Sequence, residues 1–302
     1  MWLVALTAAQ AAALLVVYRL FVQTRTGQAV DTIALTANWI GRDELEQPVN
    51  VVLNAMSVVS LALVTALVFF IAVFRRRFLL AVVATVVIAG ANITTQLLKY
   101  RGLRPDLGID PDRVDVGNTL PSGHTTIAAA VAIALIMVLP RAITGAGALA
   151  LTGWAAFAGI ATLAAGWHRP SDAVAAFLVA GVWASASGLL LLIFDRNEPA
   201  PDLVRPPRSA VLLVQIGIGA MAVAVALLWL THDVVDWSIE ELSVRRLMVA
   251  YAGGAVGIGA TACLVLGLVA ASVPYLVPRR LSMQDETETE TETTTPPADP
   301  VP

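Results

Sequence analysis

The sequence predicts an all-α fold, a polytopic bundle of helices in a membrane. Of its 302 residues 58% are hydrophobic and only 14% are charged, far from the balance of a soluble globular domain. Apolar runs of about 20 residues, the length of helix that crosses a hydrocarbon core, recur along most of the chain. Short stretches between them collect the Arg, Asp, Pro and Gly.

In chain order the expected spans cover residues 2–22, 51–74, 78–98, 122–139, 143–165, 173–194, 210–230 and 248–277. The first has no basic residue ahead of it, exceeds a signal-peptide core in length and lacks a clear small-residue cleavage site after it. It is therefore expected to stay as a helix. The fourth is the shortest. In the eighth, Gly253, Gly254, Gly257 and Gly259 give a small-residue face suited to close helix packing. The lone cysteine, Cys263, lies in that span, so no intramolecular disulfide forms and packing is its expected role. Residues 284–302 alternate Glu and Thr and then turn Pro-rich, with almost nothing apolar to bury; a disordered tail is expected there. That tail supplies much of the acid behind the net charge of -3. The organisation is read as six spans over 1–195, two more over 196–283, and the tail.

Orientation follows from basic residues, which short cytoplasmic loops retain. Arg75, Arg76, Arg77, Arg141, Arg196, Arg205, Arg208, Arg279 and Arg280 all fall on one side, which places both termini in the cytoplasm. The other side holds Arg25, Arg42, Arg245 and Arg246, and a second group of Lys99, Arg101, Arg104, Arg113 and Arg169. Positive charge kept on the disfavoured side calls for an anionic ligand, or else for the local acids Asp106, Asp110, Asp112 and Asp115 to neutralise a solvated loop. Two of the three histidines, His124 and His168, and the only lysine, Lys99, share that side; the third, His232, is read as solvated surface.

Three stretches carry the chemistry. In LPSGHTT, residues 120–126, Pro and Gly shape a turn and Ser122 is a good N-cap for the span that follows. A helix N-terminus offers free N–H groups and a positive dipole end, an anion site beside which Gly123 and His124 would stand; an ordinary cap would use the same residues. In GWHRPSD, residues 166–172, a helix starting near Pro170 leaves His168 and Asp172 four residues apart, a spacing that brings carboxylate to imidazole. An imidazole so oriented is a nucleophile or base, although His168 beside Trp167 would also suit a membrane interface. In KYRGLRP, residues 99–105, three cations crowd one turn, where each alone would simply snorkel to headgroups. A metal site is not expected, because Lys and Arg beside a dication are electrostatically misplaced and no Cys is at hand.

These residues resemble the type 2 phosphatidic acid phosphatase superfamily. That family carries Lys, six residues, Arg-Pro; then Pro-Ser-Gly-His; then Ser-Arg, five residues, His, three residues, Asp. The second motif is complete at Pro121-Ser122-Gly123-His124, and the third is present in its latter half as His168 and Asp172. Two departures stand out: Lys99 is two positions too close to Arg104-Pro105, and Ala161-Thr162 replaces Ser-Arg, so the motif arginine is missing. Arg169 and Arg101 are the candidates to compensate.

The resemblance, taken to cover spans one to six, implies a six-helix phosphatase core with two extra C-terminal helices. It further implies metal-independent, cofactor-free hydrolysis of a lipid phosphomonoester or diphosphate through a phosphohistidine. His168 would be the nucleophile, Asp172 its orienting partner and His124 the general acid and base; Lys99, Arg101, Arg104, Ser122, Gly123 and Arg169 would hold substrate. The expected partners are a lipid phosphate and membrane lipids, not nucleic acid. Polyprenyl diphosphate, phosphatidic acid and phosphatidylglycerol phosphate all fit a site at headgroup depth, and an outward site in a bacterial envelope favours the first. A phosphotransferase using the same intermediate and a non-catalytic lipid-binding or transport protein are the alternatives.

Overall fold

A computed structural model describes residues 1–39, 47, 49–51, 53, 54, 58–102, 104–109, 117–194, 205–231 and 242–276. The tail at 284–302, His232, Arg42, Arg113, Asp110, Asp112, Asp115, Arg196, Arg279 and Arg280 lie outside the described residues.

The described chain is helical. Helix α1 (Trp2–Val17) runs on through a π-helical turn, Tyr18–Val22, and α2 (Arg25–Thr36) ends in a 3₁₀ turn, Ala37–Trp39. There follow α3 (Val58–Phe74), α4 (Phe78–Arg101), α5 (Gly123–Val138), α6 (Arg141–Ala164), α7 (Pro170–Phe194), α8 (Arg208–Trp229) and α9 (Val244–Leu276).

Among the described residues six helices are long and apolar enough to cross a membrane: Trp2–Val22, Phe78–Arg101, Ala142–Ala164, Pro170–Phe194, Arg208–Trp229 and Val244–Leu276. Val59–Phe74 and Gly123–Val138, which lie within two more of the eight expected spans, are shorter apolar helices. For α5 the reason is local. Ser122 caps its start, and Leu139 turns extended ahead of Pro140, which disfavours helix in the residue before it. Sixteen residues rise only about 24 Å, against roughly 30 Å of hydrocarbon.

Helix α2 is an element the sequence pattern does not announce. Its 12 residues are too few to span a membrane, and the Thr24 hydroxyl caps it by accepting from Gly27 N–H at 3.0 Å. It buries Gln28 through Leu35, Asp31 included.

Helix α7 lies at the centre of the bundle, against α1, α4, α5 and α9. Alanines at 128–130, 132 and 134 of α5 are fully or almost fully buried, and small side chains of this kind let neighbouring helix backbones approach closely. Helix α9 reaches α2, α5, α6, α7 and α8. The Gly254 backbone lies so close to the start of α7 that a Cβ there would come within 2.5 Å of Pro170 Cγ.

The alternation of helices gathers the end of α4, the start of α5 and the α6–α7 turn at one end of the bundle. Arg75, Arg76, Arg77, Arg141 and Arg208 fall at the other.

Candidate active site

The α6–α7 turn is built around Gly166 and Thr162. Gly166 has φ +73°, and a Cβ there would also meet Asn38 Nδ2 at 2.3 Å, so both conformation and space require glycine. The Thr162 carbonyl accepts from Trp167 N–H and His168 N–H at 3.0 and 3.2 Å. Helix α7 then starts at Pro170, as the sequence spacing predicts.

His168 and Asp172 meet as expected: His168 Nδ1 lies 3.2 Å from Asp172 Oδ2, with the aspartate completely buried and His168 7% exposed. The same oxygen accepts from Thr119 Oγ1 at 2.7 Å and from Arg169 N–H at 3.1 Å. Ser122 N–H donates to the Asp172 carbonyl at 2.9 Å, which ties the Pro-Ser-Gly-His stretch directly to the histidine–aspartate stretch.

Ser122 is the N-cap of α5. Its Oγ accepts from Thr125 N–H and Thr125 Oγ1, while the N–H groups of Gly123 and His124 have no partner among the described residues. That open, positive helix end suits an anion. His124 lies within electrostatic reach of both His168 and Lys99, and its ring sits 5.2 Å from that of Trp167.

The basic stretch comes to the same end. Lys99 is half-buried near the close of α4, and Arg101 is exposed at its last residue. Past it, Asn118 Nδ2 donates to the Leu98 and Leu120 carbonyls, strapping the end of α4 to the approach to Pro121. Gln28 of α2 donates to the Pro105 carbonyl at 2.9 Å, which anchors the chain beside half-buried Arg104.

Arg169 is 3% exposed, its Nε donates to Thr32 Oγ1 on α2, and its charge acts on both Asp31 and Asp172. The motif-arginine position is closed off. Ala161 packs with Val49, Leu53 and Ala164, and Thr162 Oγ1 donates to the Gly159 carbonyl of its own helix.

Thr119, Asn118, Thr32 and Asp31 join the site without being marked by any motif. Asp31 accepts from Ser171 N–H at 3.0 Å and from Ser171 Oγ at 2.6 Å. Its carboxyl is pushed from 3.8 up to about 6, first by burial and then by Asp172, against the pull of the Ser171 bonds and Arg169. A folded-state value above the unfolded one contributes stability that is full below about pH 4 and lost as pH rises through about 6. The change corresponds to on the order of 3 kcal/mol. The unfolding midpoint of the purified protein is expected to fall across that window, and Asp31→Asn, which does not ionise, to flatten the fall; equal slopes would contradict this.

Among the described residues no group of three or more His, Cys, Asp or Glu side chains is arranged to hold a metal ion.

Residues 78–197 match the family model described as the PAP2 superfamily. Comparison with curated proteins and with solved structures gives no significant match. The matched stretch runs from the start of α4 to just past α7, so it contains Lys99, Arg104, Ser122, His124, His168 and Asp172 and leaves α1–α3, α8 and α9 outside; it is narrower than the six spans expected. Residues 78–197, a membrane-helical stretch holding the histidine and aspartate motifs in order, are thus similar to the PAP2 superfamily.

Proposed function

We propose that the protein is an integral-membrane phosphatase that hydrolyses a lipid phosphomonoester or diphosphate through a phosphohistidine on His168. The observation that carries this is the buried contact of His168 Nδ1 with Asp172 Oδ2, with His124 and Lys99 in electrostatic range. With Nδ1 facing the carboxylate, Nε2 is the nitrogen left for phosphorus.

In the first step the Nε2–P bond forms and the bond from phosphorus to the lipid oxygen breaks, while His124 gives that oxygen its proton. In the second, His124 takes a proton from water, the water oxygen bonds to phosphorus and the P–N bond breaks, releasing phosphate. Lys99, Arg104 and Arg101, with the Ser122–Gly123 turn and the N–H groups of α5, would hold the phosphoryl oxygens as charge concentrates on them. Arg169 adds its positive charge next to Asp172 and is a further candidate to hold substrate. The arginines at 75–77, 141 and 208 stand at the opposite end of the bundle, which favours an extracytoplasmic site and cytoplasmic termini. Candidate substrates are polyprenyl diphosphate, phosphatidic acid and phosphatidylglycerol phosphate, whose phosphates sit at headgroup depth.

The test is phosphate release from a panel of these lipids, with and without chelator. His124→Ala is expected to slow turnover on them by about 10²-fold to 10⁴-fold. With an aryl phosphate, whose leaving group needs little protonation, the same variant should still form the phosphoenzyme and then accumulate it. Full activity of His124→Ala on the lipids would remove the histidine from the mechanism.

A further inference from the structure

Helix α7 begins at the site, and the first N–H groups of a helix have no partner within it. Pro170 has no N–H to satisfy, and Asp172 N–H is taken by the Arg169 carbonyl at 3.1 Å. The remaining one, on Ser171, goes to Asp31, a residue 140 positions earlier on α2. The Ser171 hydroxyl donates to the other oxygen of the same carboxylate, and the neighbouring Thr32 accepts from Arg169 Nε. Two consecutive residues of α2 thus grip the two residues that flank Pro170.

The placement is costly for a carboxylate. Asp31 is 2% exposed and borders a cavity of about 410 Å³ whose other walls are almost wholly apolar, among them Leu6, Leu178, Val265 and Leu268. A buried ionisable group held in apolar surroundings at a cost in stability marks a functional constraint. Asp31 touches neither histidine in the described contacts, so its effect has to pass through the turn it holds. That turn sets the position of His168, and Asp172 directly follows Ser171.

We propose that Asp31 is a positioning residue for the reaction, a cap supplied from α2 that fixes the first turn of α7 and through it the His168–Asp172 pair. This rests on the phosphatase reading. Displacing a reacting group by about 1 Å costs on the order of 10²-fold in rate, so the effect falls on the chemical step more than on binding.

The full-length protein, purified in detergent, is assayed for phosphate release from phosphatidic acid as Asp31→Ala, Asp31→Asn and Ser171→Ala. Asp31→Ala is expected to lower kcat by about 10-fold to 100-fold with KM nearly unchanged. Asp31→Asn, which keeps one acceptor, should recover part of that loss. Ser171→Ala, which removes only the hydroxyl bond, should lose several-fold. Amide hydrogen exchange over residues 168–172 is expected to rise in Asp31→Ala and to be partly restored in Asp31→Asn.

Wild-type kcat and wild-type exchange in Asp31→Ala would overturn the proposal, as would a change in KM alone. Should Asp31→Ala fail to fold, Asp31→Asn and Ser171→Ala decide by the same two readouts. Wild-type protein inactive on every lipid phosphate would instead sink the phosphatase reading, and exchange at 168–172 would then decide whether Asp31 holds the turn.

Discussion

His168→Ala is expected to lower turnover by at least about 10⁴-fold and to leave no phosphate trapped on the protein when substrate is added and the reaction is quenched. The loss is large because, in the proposed mechanism, one atom of this side chain makes the covalent bond. Of the other imidazoles in the chain, His124 stands at the start of α5, where the proposed mechanism uses it for the proton transfers. Insertion into the membrane should be unaffected, since the apolar helices that drive it are unchanged and the backbone N–H of residue 168 can still reach the Thr162 carbonyl. Labelled substrate followed by alkaline quench, which preserves phosphohistidine, measures both outcomes. Label retained by His168→Ala at the wild-type level would exclude this residue as the nucleophile.

Asp172→Asn is expected to cost about 10⁴-fold in kcat, the scale seen when an aspartate that orients a catalytic histidine is replaced by its amide. Asp172 Oδ2 serves three donors at once, His168 Nδ1, Thr119 Oγ1 and Arg169 N–H, while Oδ1 has no partner among the described residues. An asparagine with its oxygen in the Oδ2 place buries an NH₂ where nothing accepts it. Turned the other way, it presents N–H groups to three donors and drives His168 to carry its proton on Nε2, which blocks attack on phosphorus. In either orientation the negative charge that would steady the proposed phosphorylated imidazole is gone. Single-turnover kinetics separates the cases: phosphoenzyme formation should slow along with kcat, and an effect confined to KM would contradict the assignment.

The sequence makes the histidine–aspartate pair and the cap at Ser122 legible because both depend on spacings of three or four residues at the start of a helix, where local geometry decides the outcome. The bundle is legible for a similar reason, since a long apolar run has few alternatives in a hydrocarbon medium. The bounds of α5 are legible too: the expected run 122–139 and the helix Gly123–Val138 nearly coincide, because Ser122 caps one end and Pro140 stops the other.

Helix α2 and Asp31 are hidden for a different reason. Residues 25–36 mix polar and apolar side chains over too short a length to stand out beside their neighbours, and a single acid there carries no spacing signal. Only tertiary packing discloses that it meets Ser171. Arg169 is a related case: its position beside His168 suggests a hand on the phosphate, and only packing discloses that its Nε also donates to Thr32 of α2.

The contact between Gly254 and Pro170 bears on how far the molecule can be trimmed. Cutting the gene after residue 197 would keep every motif and still strip the support from the rear of the turn that carries His168. Helix α9 acts as a backstop for the start of α7, so a shortened version meant to preserve the proposed site has to retain it.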